Sequence, residues 1–91
     1  MQTRHFLISG HVQGVGFRYA FEAEARRLGL NGWVRNKYSG EVEALVSGTN
    51  AAIEAISLWA WQGSKMAHVE NVVFYDSPEI IAAGFFVKSS V

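Results

Sequence analysis

The sequence predicts an α+β fold in which two helices cover one face of a β-sheet. At 91 residues, the chain has the length of one small domain with a single core. Apolar residues recur at every second position in some segments and at helical spacing in others. These segments follow the order β-α-β-β-α-β, with a short fifth strand after them. We therefore expect one domain over residues 1–91, built as a two-layer sandwich with an antiparallel sheet.

The first strand and the first helix flank a glycine-rich stretch. In residues 4–12, Phe6, Ile8 and Val12 alternate with their neighbours, which predicts a strand. After the glycines, apolar residues recur at helical spacing, and Gly29 is suited to end that helix. The apolar stripe of the helix consists of Phe17, Phe21, Ala25 and Leu28.

A second helix is predicted in the second half of the chain, where Thr49 or Asn50 can cap its start. Its apolar face consists of Ala52, Ile53, Ile56, Trp59 and Ala60. Trp59 and Trp61 are two residues apart and cannot both face the core, so we expect Trp61 or Leu58 to be exposed. The remaining strands are predicted at residues 33–38, 41–47, 68–75 and 84–88.

This order of elements is that of the ferredoxin-like fold. Right-handed crossovers make the first two strands parallel, with the third strand inserted antiparallel between them. The C-terminal ends of the first two strands then lie at the same edge of the sheet. The glycine-rich stretch is therefore expected to face the polar residues at the end of the second strand, which are Arg35, Asn36 and Lys37.

The glycine-rich stretch at residues 10–18 is typical of an anion-binding loop. Gly14 and Gly16 give the backbone conformations that are closed to other residues, so successive N–H groups can face one ligand. The following helix adds the partial positive charge of its N-terminus. Arg18 contributes a planar charged fork that fits two oxygens of a phosphate. The run has neither the Gly-Lys-Ser/Thr ending of a Walker loop nor the third glycine of a dinucleotide loop. The predicted ligand is a phosphoryl group.

Composition and charge narrow the class of partner. The formal net charge is zero, and basic residues predominate before residue 40, which suits a small anion better than a nucleic acid. No apolar run reaches the roughly 20 residues of a membrane span, and no signal-peptide core follows Met1. The chain contains no cysteine and so no thiol nucleophile. We expect a cytoplasmic monomer with a small-molecule partner, and neither a nucleic acid nor a membrane as partner.

Other titratable residues do not indicate a metal site or a second catalytic site. His5 and His11 lie six residues apart on one strand, a separation of roughly 20 Å that one metal ion cannot bridge. Glu41 and Glu43 share a strand face, and we interpret them as solvated surface residues rather than a catalytic carboxylate pair. No serine has His and Asp partners at a recognisable spacing. We expect neither a metal nor a cofactor.

Two motifs resemble the signatures of the acylphosphatases. The first signature is matched at Gly10, Val12, Gly14, Val15, Gly16, Phe17 and Arg18. The second signature is matched at Gly32, Trp33, Val34, Arg35 and Asn36, and then at Gly40, Val42 and Gly48. The similarity covers nearly the whole chain. It departs from the family after the second helix, where Ser64 stands in place of the usual proline, so the form of that turn is not predicted.

The resemblance implies a stand-alone, bacterial-type enzyme that hydrolyses acyl phosphates to a carboxylate and inorganic phosphate. In that family the arginine matched by Arg18 binds the phosphoryl oxygens together with the loop N–H groups, and the asparagine matched by Asn36 positions the attacking water. The implied phosphate-binding residues are Gln13, Gly14, Val15, Gly16, Phe17 and Arg18. A carboxylate leaves without a protein acid, since its conjugate acid has a pKa of about 4. Because an amide cannot take a proton at neutral pH, we expect a substrate phosphate oxygen to accept the proton of the water.

Two other functions stay open at this point. Ferredoxin-like sheets also bind RNA on exposed aromatic residues, so a non-catalytic phosphate- or RNA-binding module is one alternative. The first and third strands nevertheless lack the paired aromatic pattern of such modules. The second alternative is a domain that handles carbamoyl phosphate, since the N-terminal part of hydrogenase-maturation carbamoyltransferases resembles this family.

Overall fold

The computed structural model describes all 91 residues and contains five strands and two helices. The strands are β1 (Gln2–His11), β2 (Asn31–Asn36), β3 (Val42–Gly48), β4 (His68–Asp76) and β5 (Phe85–Val87). The helices are α1 (Phe17–Arg27) and α2 (Asn50–Gln62). The predicted β-α-β-β-α-β order with a short fifth strand is confirmed. Neither helix is both long enough and apolar enough to cross a membrane.

The sheet has the strand order β4-β1-β3-β2-β5. β3 pairs antiparallel with both β1 and β2, so β1 and β2 run parallel, as predicted. β2 ends at Asn36, earlier than predicted, and Lys37 belongs to the turn, where its N–H donates to the carbonyl of Glu41 at 2.8 Å. The sheet is antiparallel, as predicted, except at the edge formed by the short fifth strand, where β5 pairs parallel to β2 with Gly32 opposite Phe85. The chain reverses direction between β4 and β5, and this reversal makes the sheet mixed.

Both helices pack on one face of the sheet and enclose an aromatic core. The ring centroid of Phe21 lies 5.7–6.3 Å from those of Phe6, Phe17, Trp59 and Phe85. Trp59 therefore faces the core, whereas Leu58 and Trp61 are exposed, as predicted. Because α1 begins at Phe17, which is buried in this cluster, the packing fixes the position of the helix N-terminus.

The other face of the sheet carries a hydrogen-bonded cluster around Glu43. Its Oε1 accepts a hydrogen bond from Nε of Arg35 at 2.7 Å, and its Oε2 lies 2.7 Å from Nε2 of His5. Glu43 is only 9% exposed, so the interpretation of Glu41 and Glu43 as a solvated pair is wrong. β3 is the central strand, and side chains of both neighbouring strands cover the carboxylate, while Glu41 lies outside β3.

These contacts change the acidity of Glu43. Burial alone would raise the pKa of the Glu43 carboxyl, but the hydrogen bonds from Arg35 and His5 outweigh it and hold the pKa below its usual value. A carboxyl with a lower pKa in the folded chain stabilises the fold above the pKa that it has in the unfolded chain. This stabilisation is lost as the pH falls through the folded-state pKa.

Glu43→Gln is therefore expected to change how stability depends on acid. The wild type should lose free energy of unfolding as the pH falls below about 4.3, where the carboxyl of the unfolded chain takes up its proton first. The variant should be less stable near neutral pH, because Arg35 and His5 lose a charged partner. Its free energy of unfolding should fall less than that of the wild type on acidification. Urea denaturation between about pH 6 and pH 3 measures both effects.

Glu70→Gln, which removes an exposed carboxyl on β4, is the matched control and should follow the wild type. If Glu43→Gln and the wild type lose the same free energy of unfolding over this pH range, the assignment of the acid-sensitive contact to Glu43 is wrong.

Candidate active site at the ends of β1 and β2

Residues 12–16 form the loop that connects β1 with α1. Gly14 and Gly16 have φ angles of 73° and 76°, in the left-handed region that favours glycine. A methyl group added at either position would meet no heavy atom within 4 Å, so this side of the loop faces open space. The two glycines are therefore needed for their backbone conformation and not for lack of room.

The loop leaves a row of backbone donors without acceptors. None of the N–H groups of residues 13–16 donates a hydrogen bond within the chain. Those of Phe17 and Arg18 lie in the first turn of α1, where N–H groups have no acceptor within the helix. Gly16 is the N-cap residue, no side chain caps the helix, and its first turn contains no acidic residue. The partial positive charge of this helix end is therefore not compensated, and the loop suits an anion.

Arg18 is the second residue of α1 and differs from the other arginines of the chain in having no carboxylate partner. Its guanidinium carbon lies 5.7 Å from the centre of the Tyr19 ring. The other four arginines each form an ion pair with a glutamate: these are Arg4, Arg26, Arg27 and Arg35. An arginine beside uncompensated backbone donors, with its own fork unpaired, adds a bidentate donor for an oxyanion.

Asn36 is the last residue of β2, and strand alternation places it on the same face as the buried Val34. This is the face that carries α1 and α2. Arg35 lies on the opposite face, where it binds Glu43. Oδ1 of Asn36 is buried and has no hydrogen-bond partner. An unpaired buried amide oxygen costs roughly 1–3 kcal/mol, so its presence at this sheet edge points to a role other than stability.

Gln13 joins the loop to the end of β2. Its side-chain Nε2 donates to the carbonyls of Lys37 at 2.7 Å and Glu41 at 2.9 Å, at the base of the β2–β3 turn. The predicted neighbourhood of the loop and the end of the second strand is thus present as a direct contact. The sequence motif placed Gln13 in the loop, and the structure adds that its side chain spans the gap beside Asn36, while its backbone N–H stays unpaired.

Lys37, the third polar candidate at the end of the second strand, contributes its backbone to this contact and forms no ion pair with a carboxylate.

Ser64 was singled out in the sequence only as a departure from the family pattern. Its hydroxyl donates to the carbonyl of Val15 at 2.8 Å and so reaches the loop from the far side. The spacing of residues in the sequence predicts neither the Gln13 contact nor the Ser64 contact, because both side chains donate to backbone carbonyls.

The cavities of the molecule lie elsewhere. One cavity of about 290 Å³ is lined by Trp33, Leu45 and Phe86 among others, and one of about 420 Å³ lies near Thr3 and Ser47. Neither contains a residue of the loop. This is consistent with an anion site built from backbone N–H groups, which needs a concave stretch of main chain and not a deep pocket. No three His, Asp or Glu side chains lie close enough together to hold a metal ion.

Comparison with known proteins places this chain in a family. A family model described as acylphosphatase matches residues 4–87. The acylphosphatase of Thiobacillus denitrificans is 53% identical over 72 residues, which cover 79% of this chain and 81% of that protein. The crystal structure of acylphosphatase from Bacillus subtilis has a TM-score of 0.92 and 31% identity, covering 97% of this chain and 99% of that chain.

A second kind of structure contains the same fold as one part of a longer chain. The crystal structure of full-length HypF in the phosphate- and nucleotide-bound form matches with a TM-score of 0.86 and 28% identity. The match covers 98% of this chain and 12% of HypF. The family model matches residues 4–87 of this chain, and the sequence relative and the Bacillus subtilis structure are covered over most of their own lengths, so the chain belongs to the acylphosphatase family.

Proposed function

We propose that this chain is an enzyme that hydrolyses the carboxyl-phosphate bond of acyl phosphates, releasing a carboxylate and inorganic phosphate. The observation that carries the proposal is the row of unpaired N–H groups at residues 13–18, completed by the unpaired guanidinium of Arg18. Family membership supports the reaction class, and the two motifs supply the residue roles.

Phosphoryl binding is assigned to the loop. The N–H groups of Gln13, Gly14, Val15, Gly16, Phe17 and Arg18 donate to the equatorial phosphoryl oxygens, and the Arg18 guanidinium binds two of them. Charge spreads over these oxygens in the transition state of phosphoryl transfer, so fixed donors around them lower the barrier. The loop is placed before reaction by the packing of Phe17 and by Gln13, so little reorganisation is needed.

Asn36 is assigned to the attacking water. Its amide lies at the same sheet edge as the loop and has an oxygen without a partner in the chain. An amide can orient a water molecule for in-line attack but cannot remove its proton at neutral pH. The proton passes to a phosphate oxygen of the substrate, and the carboxylate leaves without protonation because its conjugate acid has a pKa of about 4. The reaction needs no metal or cofactor in this scheme.

The RNA-binding alternative is disfavoured by the side chains of the central strands. β1 and β3 are the middle strands of the sheet, where ferredoxin-like RNA-binding modules carry stacking aromatics. Here those strands present the His5–Glu43 contact on the open face. The carbamoyl-phosphate alternative would make this chain one part of a larger enzyme, whereas the relative and the structure that it matches over most of their own lengths are named acylphosphatases. The loop, Arg18 and Asn36 come from one chain, so the proposed site needs no second copy, and we propose that the chain acts as a monomer in the cytoplasm.

Substitution of Arg18 and of Asn36 should separate phosphate binding from turnover. Arg18→Ala removes a ligand of the phosphoryl group and should lower kcat/KM for an acyl phosphate at least about 10²-fold, with weaker inhibition by inorganic phosphate. Asn36→Ala should lower kcat about 10²-fold and leave the inhibition constant of inorganic phosphate within about twofold. Steady-state hydrolysis of benzoyl phosphate, with inorganic phosphate as inhibitor, measures both constants.

Arg27→Ala is the matched control, because it removes an arginine of the same helix that pairs with Glu24 on the surface, and it should retain wild-type rates. Wild-type activity of Arg18→Ala or Asn36→Ala would refute the assignment of that residue.

The pH dependence should follow the substrate and not the enzyme. If a phosphate oxygen accepts the proton of the water, the pH profile of kcat/KM should shift with the phosphate pKa of the substrate. Measuring profiles for acyl phosphates of different phosphate pKa tests this. A single titration that keeps its midpoint across all of these substrates would instead reveal a general base on the protein.

A further inference from the structure

The turn after α2 lies directly behind the phosphate loop. Ser64 follows Gly63, the C-cap residue of α2, and its hydroxyl donates to the carbonyl of Val15 at 2.8 Å, across 49 positions of sequence. It is the one side-chain hydrogen bond made to a backbone atom of residues 13–18. The signature that the sequence resembles has proline at this place, as noted above, and proline has no hydroxyl to donate.

This hydrogen bond acts on a peptide unit that belongs to the loop. The carbonyl of Val15 and the N–H of Gly16 share one planar trans peptide, so the two groups point in opposite directions. A carbonyl held toward Ser64 therefore directs the Gly16 N–H away from α2 and toward the open side of the loop. This peptide unit turns about the ψ bond of Val15 and the φ bond of Gly16, and glycine restricts φ very little. A contact from outside the loop is therefore what fixes the orientation.

The end of α2 is rigid enough to provide that contact. The ring of Trp59 packs on Phe17 with centroids 5.6 Å apart. A Cβ at Gly63 would lie 2.6 Å from the Phe17 ring, so the helix end is in close contact with the first residue of α1. The N–H of Ala67 donates to the carbonyl of Ser64 at 3.0 Å and closes the turn. Ser64 is thus held at a fixed distance from the loop.

We propose that Ser64 is a positioning residue for phosphate binding, which orients the Val15–Gly16 peptide so that the Gly16 N–H faces the phosphoryl oxygens. The inference rests on the proposed function, because it requires the loop to bind phosphate. It adds a residue outside both family motifs to the machinery of this chain, and it gives the departure from proline a physical role.

The experiment compares Ser64→Ala, which removes the hydroxyl, with Ser64→Thr, which keeps it. Ser64→Ala should raise the inhibition constant of inorganic phosphate and the KM for benzoyl phosphate about 2- to 10-fold, the range of one hydrogen bond. Ser64→Thr should stay within about twofold of the wild type in both constants.

In ¹H–¹⁵N spectra of Ser64→Ala, the shift of the Gly16 amide at saturating phosphate should be smaller than in the wild type. A merely structural role would lower the unfolding temperature without changing this shift.

Ser77→Ala is the matched control, because it removes a hydroxyl in the turn after β4, at the opposite end of β1 from the loop. Wild-type phosphate affinity in Ser64→Ala, or an equal loss in Ser64→Thr, would overturn the inference. If Ser64→Ala binds phosphate normally while Arg18→Ala does not, the inference fails and the proposed function stands. If Arg18→Ala also binds phosphate normally, the proposed function fails.

Discussion

The unpaired N–H groups at the start of α1 are the feature on which the rest of the site depends. Backbone donors without acceptors reduce stability, and a helix normally caps them with a side chain. Here the N-cap is Gly16, and no side chain takes that place. The aromatic core holds α1 through Phe17 and Phe21, so the helix end keeps its position without a cap. The donors that we propose bind an oxyanion are thus left unpaired because packing, and not a capping side chain, fixes the helix.

The surrounding contacts act on the same loop from two sides. Gln13 binds the carbonyls at the base of the β2–β3 turn, and Ser64 binds the carbonyl of Val15 from the end of α2. In both contacts a side chain donates to a backbone carbonyl, so the N–H groups of the loop stay available. The sheet brings Asn36 to this loop, because β1 and β2 run parallel to each other on either side of β3 and end at the same edge.

The order of the elements and the position of the loop beside the end of β2 could be predicted from residue patterns. The apolar period identified the helices and strands, and the crossover rule placed the loop beside the end of β2. Strand alternation also separates Asn36 from Arg35, once Val34 is taken as buried. The burial of Glu43 was missed, since it depends on His5 and Arg35 from two neighbouring strands. The parallel pairing of β5 and the hydrogen bond of Ser64 were missed as well, because a reversal of the chain or a backbone acceptor leaves no signal in side-chain spacing.

Binding of phosphate by the backbone of residues 13–18 can be measured by a ¹H–¹⁵N titration of the wild-type protein with inorganic phosphate. We expect the amides of this loop and the Arg18 guanidinium to show the largest shifts, saturating with one dissociation constant that matches the inhibition constant. If these amides do not shift, or if the shifts cluster on another surface of the molecule, the account of the site is contradicted.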